Sequence, residues 1–145
     1  GLTNDMVVVG YGASVLEDLL ELELQQTGRY VNPDPNPDKG YFYRSDHISL
    51  AKRGVPMLYA GGGFDLVNGG REAGFAFAES YRLDAYHGVA DEYDESWNLE
   101  GLNQSIDVIF SIGNKLANNS QWPNWYEGNE FKAIRDQSRS LEENL

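Results

Sequence analysis

An α/β domain is predicted, with a largely parallel sheet covered by helices on both faces. Two observations carry this expectation. Short β-branched runs alternate with amphipathic helical stretches along the chain. A length of 145 residues at 41% hydrophobic and 12% aromatic content also suffices for one packed core. No repeat, low-complexity tract or linker interrupts the alternation, so residues 1–145 read as one unit.

The elements follow in order. "DMVVVG" (5–10) is a buried strand ending in glycine. Residues 14–28 form a helix: Ser14 and Glu17 have capping-box spacing, Leu16, Leu19, Leu20 and Leu24 recur at helical intervals, and Gly28 closes it. "RYV" (29–31) is a second short strand. "NPDPNPDKG" (32–40), with three prolines in nine residues, is a stiff loop and neither helix nor inner strand. Residues 45–54 form a short helix capped by Ser45 or Asp46 and ended by Gly54, and "VPMLYA" (55–60) is the next strand. The glycine-rich stretch 61–74 is a loop too long for a mere connector. Residues 75–85 are helical. Residues 99–119 are an amphipathic helix whose buried stripe is Leu102, Ile106, Ile109, Phe110 and Leu116. The tail from about 120 to 145 packs through its tryptophans and frays at its charged end.

Composition narrows the chemistry. With no cysteine, disulfide scaffolds, thiolate metal sites and cysteine nucleophiles are excluded. A net charge of -12 repels phosphates and anionic lipid heads, so neither nucleic acid nor a membrane surface is a favoured partner. No apolar run approaches the roughly 20 residues that span a bilayer.

"GYGASV" (10–15) joins a strand to a helix, but Val15 stands where a dinucleotide fingerprint needs its third glycine. A tight turn is the expected role. "GGGF" (61–64) lacks the Lys-Ser/Thr ending of a phosphate loop and reads as a flexible site rim or a linker. "NQS" (103–105) and "NNS" (118–120) match the glycosylation sequon, a pattern that arises readily by chance. His47 in "RSDHISL" begins a helix, where hydrogen bonding at the helix start is its expected use. His87 in "DAYHGVADEYD" follows Tyr86 and is surrounded by Asp84, Asp91, Glu92 and Asp94. A ligand imidazole often donates its second N–H to a carboxylate, and Asp91 at i+4 could take it. A surface histidine paired with acids would look the same. The local residues leave both readings open.

Three stretches taken together resemble one family. "GRYVNPDPNPDKGYFYRSDHISLAKRGVPMLYAGGG", "YHGVADEYDESWNLEGL" and "LANNSQWPNWYEGNEFKAIRD", in this order, are similar to the carboxyl-terminal half of aminopeptidase Y-like zinc exopeptidases, bacterial and secreted or periplasmic. The resemblance runs from about residue 5 to 138. It implies a three-layer α/β/α fold of the phosphorylase/hydrolase-like type, with a mostly parallel sheet. It implies a co-catalytic pair of zinc ions, held by two histidines and three carboxylates, acting on amino-terminal residues of a peptide substrate. The last ligand in chain order falls on His87, and the residue that hydrogen-bonds the developing oxyanion falls on Tyr86. Asp46 and Asp91 are expected to support the site from behind, and Phe42, Tyr43, Arg44 and the 61–72 loop to form the side-chain pocket.

The family's other ligands, a His-x-Asp pair, a Glu-Glu pair whose first member is the general base, and a further aspartate, have no counterpart. There is no His-x-Asp, and the one Glu-Glu, Glu142-Glu143, matches nothing. The expectation is therefore a carboxyl-terminal portion of one catalytic domain, inactive by itself. A parent sheet cut before "DMVVVG" would leave at least one central strand without a neighbour and invite a homodimer through the exposed edge. Two other classes share the fold. Glutaminyl cyclases usually carry tryptophan where this chain has Tyr86. Transferrin-receptor-like binding domains have lost zinc ligands.

Overall fold

A computed structural model describes residues 1–142. One sheet of three strands has the order β2-β1-β3. Strand β1 (Asp5–Val9) lies in the centre, parallel to β2 (Tyr30–Pro33) and antiparallel to β3 (Tyr59–Gly62). The α/β class is as expected. The sheet itself is mixed, with one parallel and one antiparallel pairing. Strand β1 has a neighbour on each side, and the free edges belong to β2 and β3. Pro33 sits at such an edge, where its missing N–H costs no ladder bond.

Alternation along β1 decides the layers. Met6 and Val8 enter the main core, where they meet Leu20 and Leu24 of α1 (Leu16–Gln25) and Val108 and Ile112 of α5 (Glu100–Ala117). Val7 and Val9 turn to the opposite face, which lies beneath α4 (Gly70–Asp84) and the 34–41 loop across an open groove.

Two short helices, α2 (Tyr41–Arg44) and α3 (Ile48–Ala51), follow a 3₁₀ turn at Pro37–Lys39, so the proline-rich loop is partly helical. Proline is at home in a first helical turn, where its N–H would be unpaired anyway. Neither Ser45 nor Asp46 caps α3; His47 holds that position, and the Ser45 hydroxyl turns back to donate to the Tyr41 carbonyl at 2.8 Å.

The third strand is displaced from 55–60 to Tyr59–Gly62. Pro56 cannot donate to a ladder, and the Met57 carbonyl is taken by the Ser14 hydroxyl at 2.9 Å. The glycine-rich stretch is not one loop. Gly61 and Gly62 pair with Val7 and Met6, and Gly70 opens α4. At Gly63 a Cβ would stand 1.8 Å from Oδ1 of the fully buried Asp5. The absence of a side chain there lets the Asp5 carboxylate accept from the Asp65 N–H at 2.8 Å and the Asn32 amide at 2.7 Å.

Helix α5 forms where expected and presents the other face. Val108 and Ile112 are buried, whereas Leu102, Ile106, Ile109 and Phe110 of the expected stripe are exposed. Leu116 alone of that set packs against the core. The tail packs as its tryptophans suggest only through Trp125, whose Nε1–H donates to the Gly54 carbonyl at 3.0 Å within a second cluster of Ala13, Phe42, Ala51 and Phe131. Trp122 is exposed under the Arg139 guanidinium, 4.6 Å from its ring centre. Beyond it the chain is helical again, α6 (Lys132–Glu142); the end expected to fray runs into residues 143–145, Glu143 among them, which lie outside the described residues. Among the described residues no helix is long and apolar enough to cross a membrane.

Candidate functional site

Strands β1 and β2 run parallel, so their carboxyl ends, Gly10 and Asp34, emerge on the same rim. Open α/β sheets place ligands outside such ends. A hollow of about 290 Å³ opens there, lined among others by Gly10, Asp34, Tyr41, Phe42, Tyr43 and Glu130. A second, wider groove of about 650 Å³ continues from Asp34 and Tyr41 along the sheet to Tyr59, Phe75, Glu79 and Arg82.

Gly10 shapes the first hollow. At φ +76° it adopts a backbone that side chains rarely reach, and a Cβ on it would stand 2.3 Å from the Phe42 ring. Phe42 and Tyr43, two of the expected pocket residues, are thus brought together on its wall. The Tyr43 hydroxyl donates to Glu130 at 2.9 Å, which pushes the phenol pKa up. Arg44 does not line the hollow. Asp34, Tyr41 and Glu130 were not singled out from the sequence. An aspartate just after an edge-strand proline was the one available signal.

The turn "GYGASV" binds its own chain. The backbone N–H groups of Gly12, Ala13 and Ser14 donate to the buried Glu17 carboxylate at 2.7, 2.7 and 3.2 Å. This is the reciprocal half of the expected capping box. An anion seat of this kind is what a phosphate would need, and here a side chain fills it.

His47 stands between aromatic rings, 4.7 Å from Phe42 and 5.4 Å from Tyr59. Its Nε2 is buried without a hydrogen-bond partner. Burial lowers its pKa from the ordinary 6.5, with Asp46 partly opposing. Asp46 is itself exposed, and among the described residues no hydrogen bond or ion pair joins it to Tyr86 or His87.

His87 follows the end of α4, five residues after Arg82 of the wide groove. It is the one non-glycine residue among those described with positive φ, +60°, a conformation that costs an ordinary side chain roughly 1–2 kcal/mol. Its ring stacks on Tyr86 at 3.8 Å. Asp91 lies beside it but accepts the His87 backbone N–H, at 3.2 Å, and the Tyr81 hydroxyl, at 2.6 Å. Those two bonds, the phenol's first, hold the Asp91 carboxyl below the usual range. The backbone of His87 is therefore pinned while its imidazole is presented outward. All residues from 86 to 100 are exposed.

Among the described residues no group of three His, Asp or Glu side chains could hold a metal ion. A complete zinc site does not fit the residues present; His87 is a single ligand-type group at the surface.

The sequence pattern of peptidase family M28 matches residues 2–112, a span that holds both strand ends, the "YHGVADEYD" segment and most of α5. Comparisons with curated proteins and with solved structures returned no match.

Proposed function

Because the chain belongs to peptidase family M28, a family of hydrolases, we propose that it is the carboxyl-terminal portion of a zinc-dependent aminopeptidase domain of the aminopeptidase Y-like type. The observation that carries the reading is the family match itself, whose span of residues 2–112 contains Tyr86 and His87. In the complete domain, His87 supplies one ligand of a zinc pair. Its remaining ligands come from chain beyond the described residues, among which no full ligand group exists. The complete sheet is then larger and mostly parallel, in a three-layer arrangement.

This chain's own residues have separate tasks. Asp91 and Tyr81 brace the strained backbone of His87. The Tyr86 phenol donates to the oxyanion that develops on the scissile carbonyl. Phe42 and Tyr43 form an apolar wall for the side chain of the leaving residue, whereas Arg44, outside the hollow, has a lesser claim. The substrate is a peptide with a free amino terminus, and the setting is periplasmic or secreted. An edge-to-edge homodimer through the free side of β3 belongs to the same proposal. Tyr86 in place of tryptophan favours hydrolysis over the glutaminyl cyclase reaction, and a retained ligand histidine favours catalysis over a transferrin-receptor-like binding role.

The test is an assay of the purified 145-residue chain on amino-acid anilides with zinc added. Background rates are expected, since a catalytic zinc needs about three protein ligands. Turnover that a chelator abolishes and zinc restores would overturn the reading.

A further inference from the structure

The turn between β3 and α4 contains "VNGG" (67–70), which holds the one Asn-Gly pair of the chain. Asparagine is a labile side chain, and its route of breakdown is internal. The backbone nitrogen of the following residue attacks the side-chain carbonyl carbon. Three conditions open that route: a carboxamide free to turn, a following N–H held by no acceptor, and no side chain there to crowd the ring.

Hydrogen bonds remove most candidates. Among the described residues, only Asn36, Asn68 and Asn103 have a carboxamide without a hydrogen-bond partner. Asn36 precedes Pro37, whose nitrogen carries no proton to lose. Asn103 lies inside α5, where the N–H of Gln104 belongs to the helix ladder. Asn68 meets all three conditions. It is exposed, and the Gly69 N–H beside it donates to no acceptor among the described residues. Gly69 is exposed as well, at φ +101°. The anchoring bonds fall on either side of the pair: the Val67 N–H donates to the Leu2 carbonyl and the Gly70 N–H to the Leu66 carbonyl, each at 3.0 Å.

We propose that Asn68 is a site of spontaneous modification, deamidating through Gly69 to aspartate and isoaspartate. The Gly69 nitrogen bonds to Cγ of Asn68, the bond from Cγ to the side-chain nitrogen breaks, and ammonia leaves with the proton that Gly69 gave up. A succinimide ring remains. Water opens it at either carbonyl; one opening gives aspartate, the other isoaspartate, whose main chain runs through the former side chain. Both products act on α4. Each adds a negative charge near Glu72 at the amino end of that helix, where the dipole favours anions. Isoaspartate also inserts a methylene between the anchored residues Val67 and Gly70, and so displaces the start of the helix that leads to Tyr86 and His87. The inference does not rest on the peptidase reading, and the outcome of the anilide assay leaves it untouched.

The experiment incubates the 145-residue chain, native and unfolded in urea, and follows tryptic peptides by mass spectrometry. Peptide 54–71 holds Asn68 as its one asparagine, so its change from amide to acid reports this site alone. Native conversion should run within ~3-fold of the unfolded rate, because the turn needs no opening to react. It should be faster at pH 8.5 than at pH 6.5, since the attacking nitrogen must lose its proton. Isoaspartyl methyltransferase should label the converted peptide, and Asn68→Gln should abolish both signals. A native rate below ~one-tenth of the unfolded rate would overturn the proposal, since the fold would then protect the pair. So would earlier conversion of another asparagine in the native chain. Conversion without isoaspartate would overturn it too, because direct hydrolysis of the amide would then bypass Gly69.

Discussion

The sheet and its first helix treat polar groups in one way, and the stretch from α4 to α5 in another. In the former, nearly every charge is answered from within the chain. Asp5 takes donors from Asn32 and Asp65, Glu17 takes three backbone N–H groups, and Glu23 reaches Ser111 and Lys115 across the α1–α5 interface. Arg29 donates to the carbonyls of Thr3 and Asp5. In the latter, acids, aromatics and a histidine at positive φ face solvent, and the hydrogen bonds made there join near neighbours in sequence, such as Arg82 to Glu79, Tyr81 to Asp91 and the Ser96 N–H to Asp94. The difference is one of burial. Buried partners hold the sheet and α1 to the rest of the fold, and exposed, local ones shape the surface of the other stretch.

The largest effect that would sharpen this contrast lies in the tail. Trp125→Ala removes a buried ring and its bond to Gly54, and should cost about 3–5 kcal/mol of unfolding free energy. Phe110→Ala, a comparable truncation on the outer side of α5, should stay within about 0.5 kcal/mol. Urea unfolding of both variants measures the pair. Similar costs would mean that the outer stripe is covered.

Next is chemistry at the open region. In the complete peptidase, Tyr86→Phe should lower turnover by ~10²–10³ with zinc retained, the usual consequence of removing one oxyanion donor. His87→Ala should lose zinc and activity together. Equal metal loss in both variants would make Tyr86 a structural residue.

How far these regions were legible in the sequence follows from the same contrast. β1 and α1 could be read because their signals are local: a β-branched run, a leucine period, a Ser14–Glu17 spacing. The existence of α5 was equally local, but its buried face was not. The outer stripe, with Leu102, Ile106, Ile109 and Phe110, is the more hydrophobic of two faces, and only tertiary contacts with α1 select Val108 and Ile112. β3 was misplaced because the Met57 carbonyl is taken by the Ser14 hydroxyl and Pro56 cannot donate to a ladder. A partner more than forty residues away leaves no mark in the local pattern. His87 was singled out by the pattern around it, whereas the positive φ and the bracing by Tyr81 were not readable, since Tyr81 belongs to a helix one turn earlier.

Two glycines test the comparison at smaller scale. Gly63→Ala forces a methyl group against the Asp5 carboxylate and should destabilise by about 1–3 kcal/mol. Gly113→Ala lies in α5 with nothing within 4 Å of the new Cβ, and should stabilise by roughly 0.5–1 kcal/mol through helix propensity. Thermal melts of the two variants should therefore move in opposite directions. A destabilising Gly113→Ala would place an unseen neighbour over that part of α5.

The smallest effect concerns His47, at the start of α3, whose Nε2 has no hydrogen-bond partner among the described residues. Its imidazole is held between Phe42 and Tyr59 with Nε2 buried and unbonded, and burial lowers its pKa below 6.5. The folded state thus prefers the neutral ring. Above pH 6.5 both states are neutral at this residue, and its contribution is fully favourable. As pH falls below 6.5 the unfolded chain takes up the proton first, so stability declines until the folded ring titrates too. The slope cannot exceed about 1.4 kcal/mol per pH unit, the limit for one proton. Asp46, exposed beside it, opposes the shift. Urea midpoints between pH 7.5 and 5.5 should show the decline in the native chain and lose it in His47→Gln. The window lies above the lowered carboxylates Glu23, Asp91 and Asp136, whose own losses come at lower pH. A slope that survives in His47→Gln would show that another group of the chain carries it.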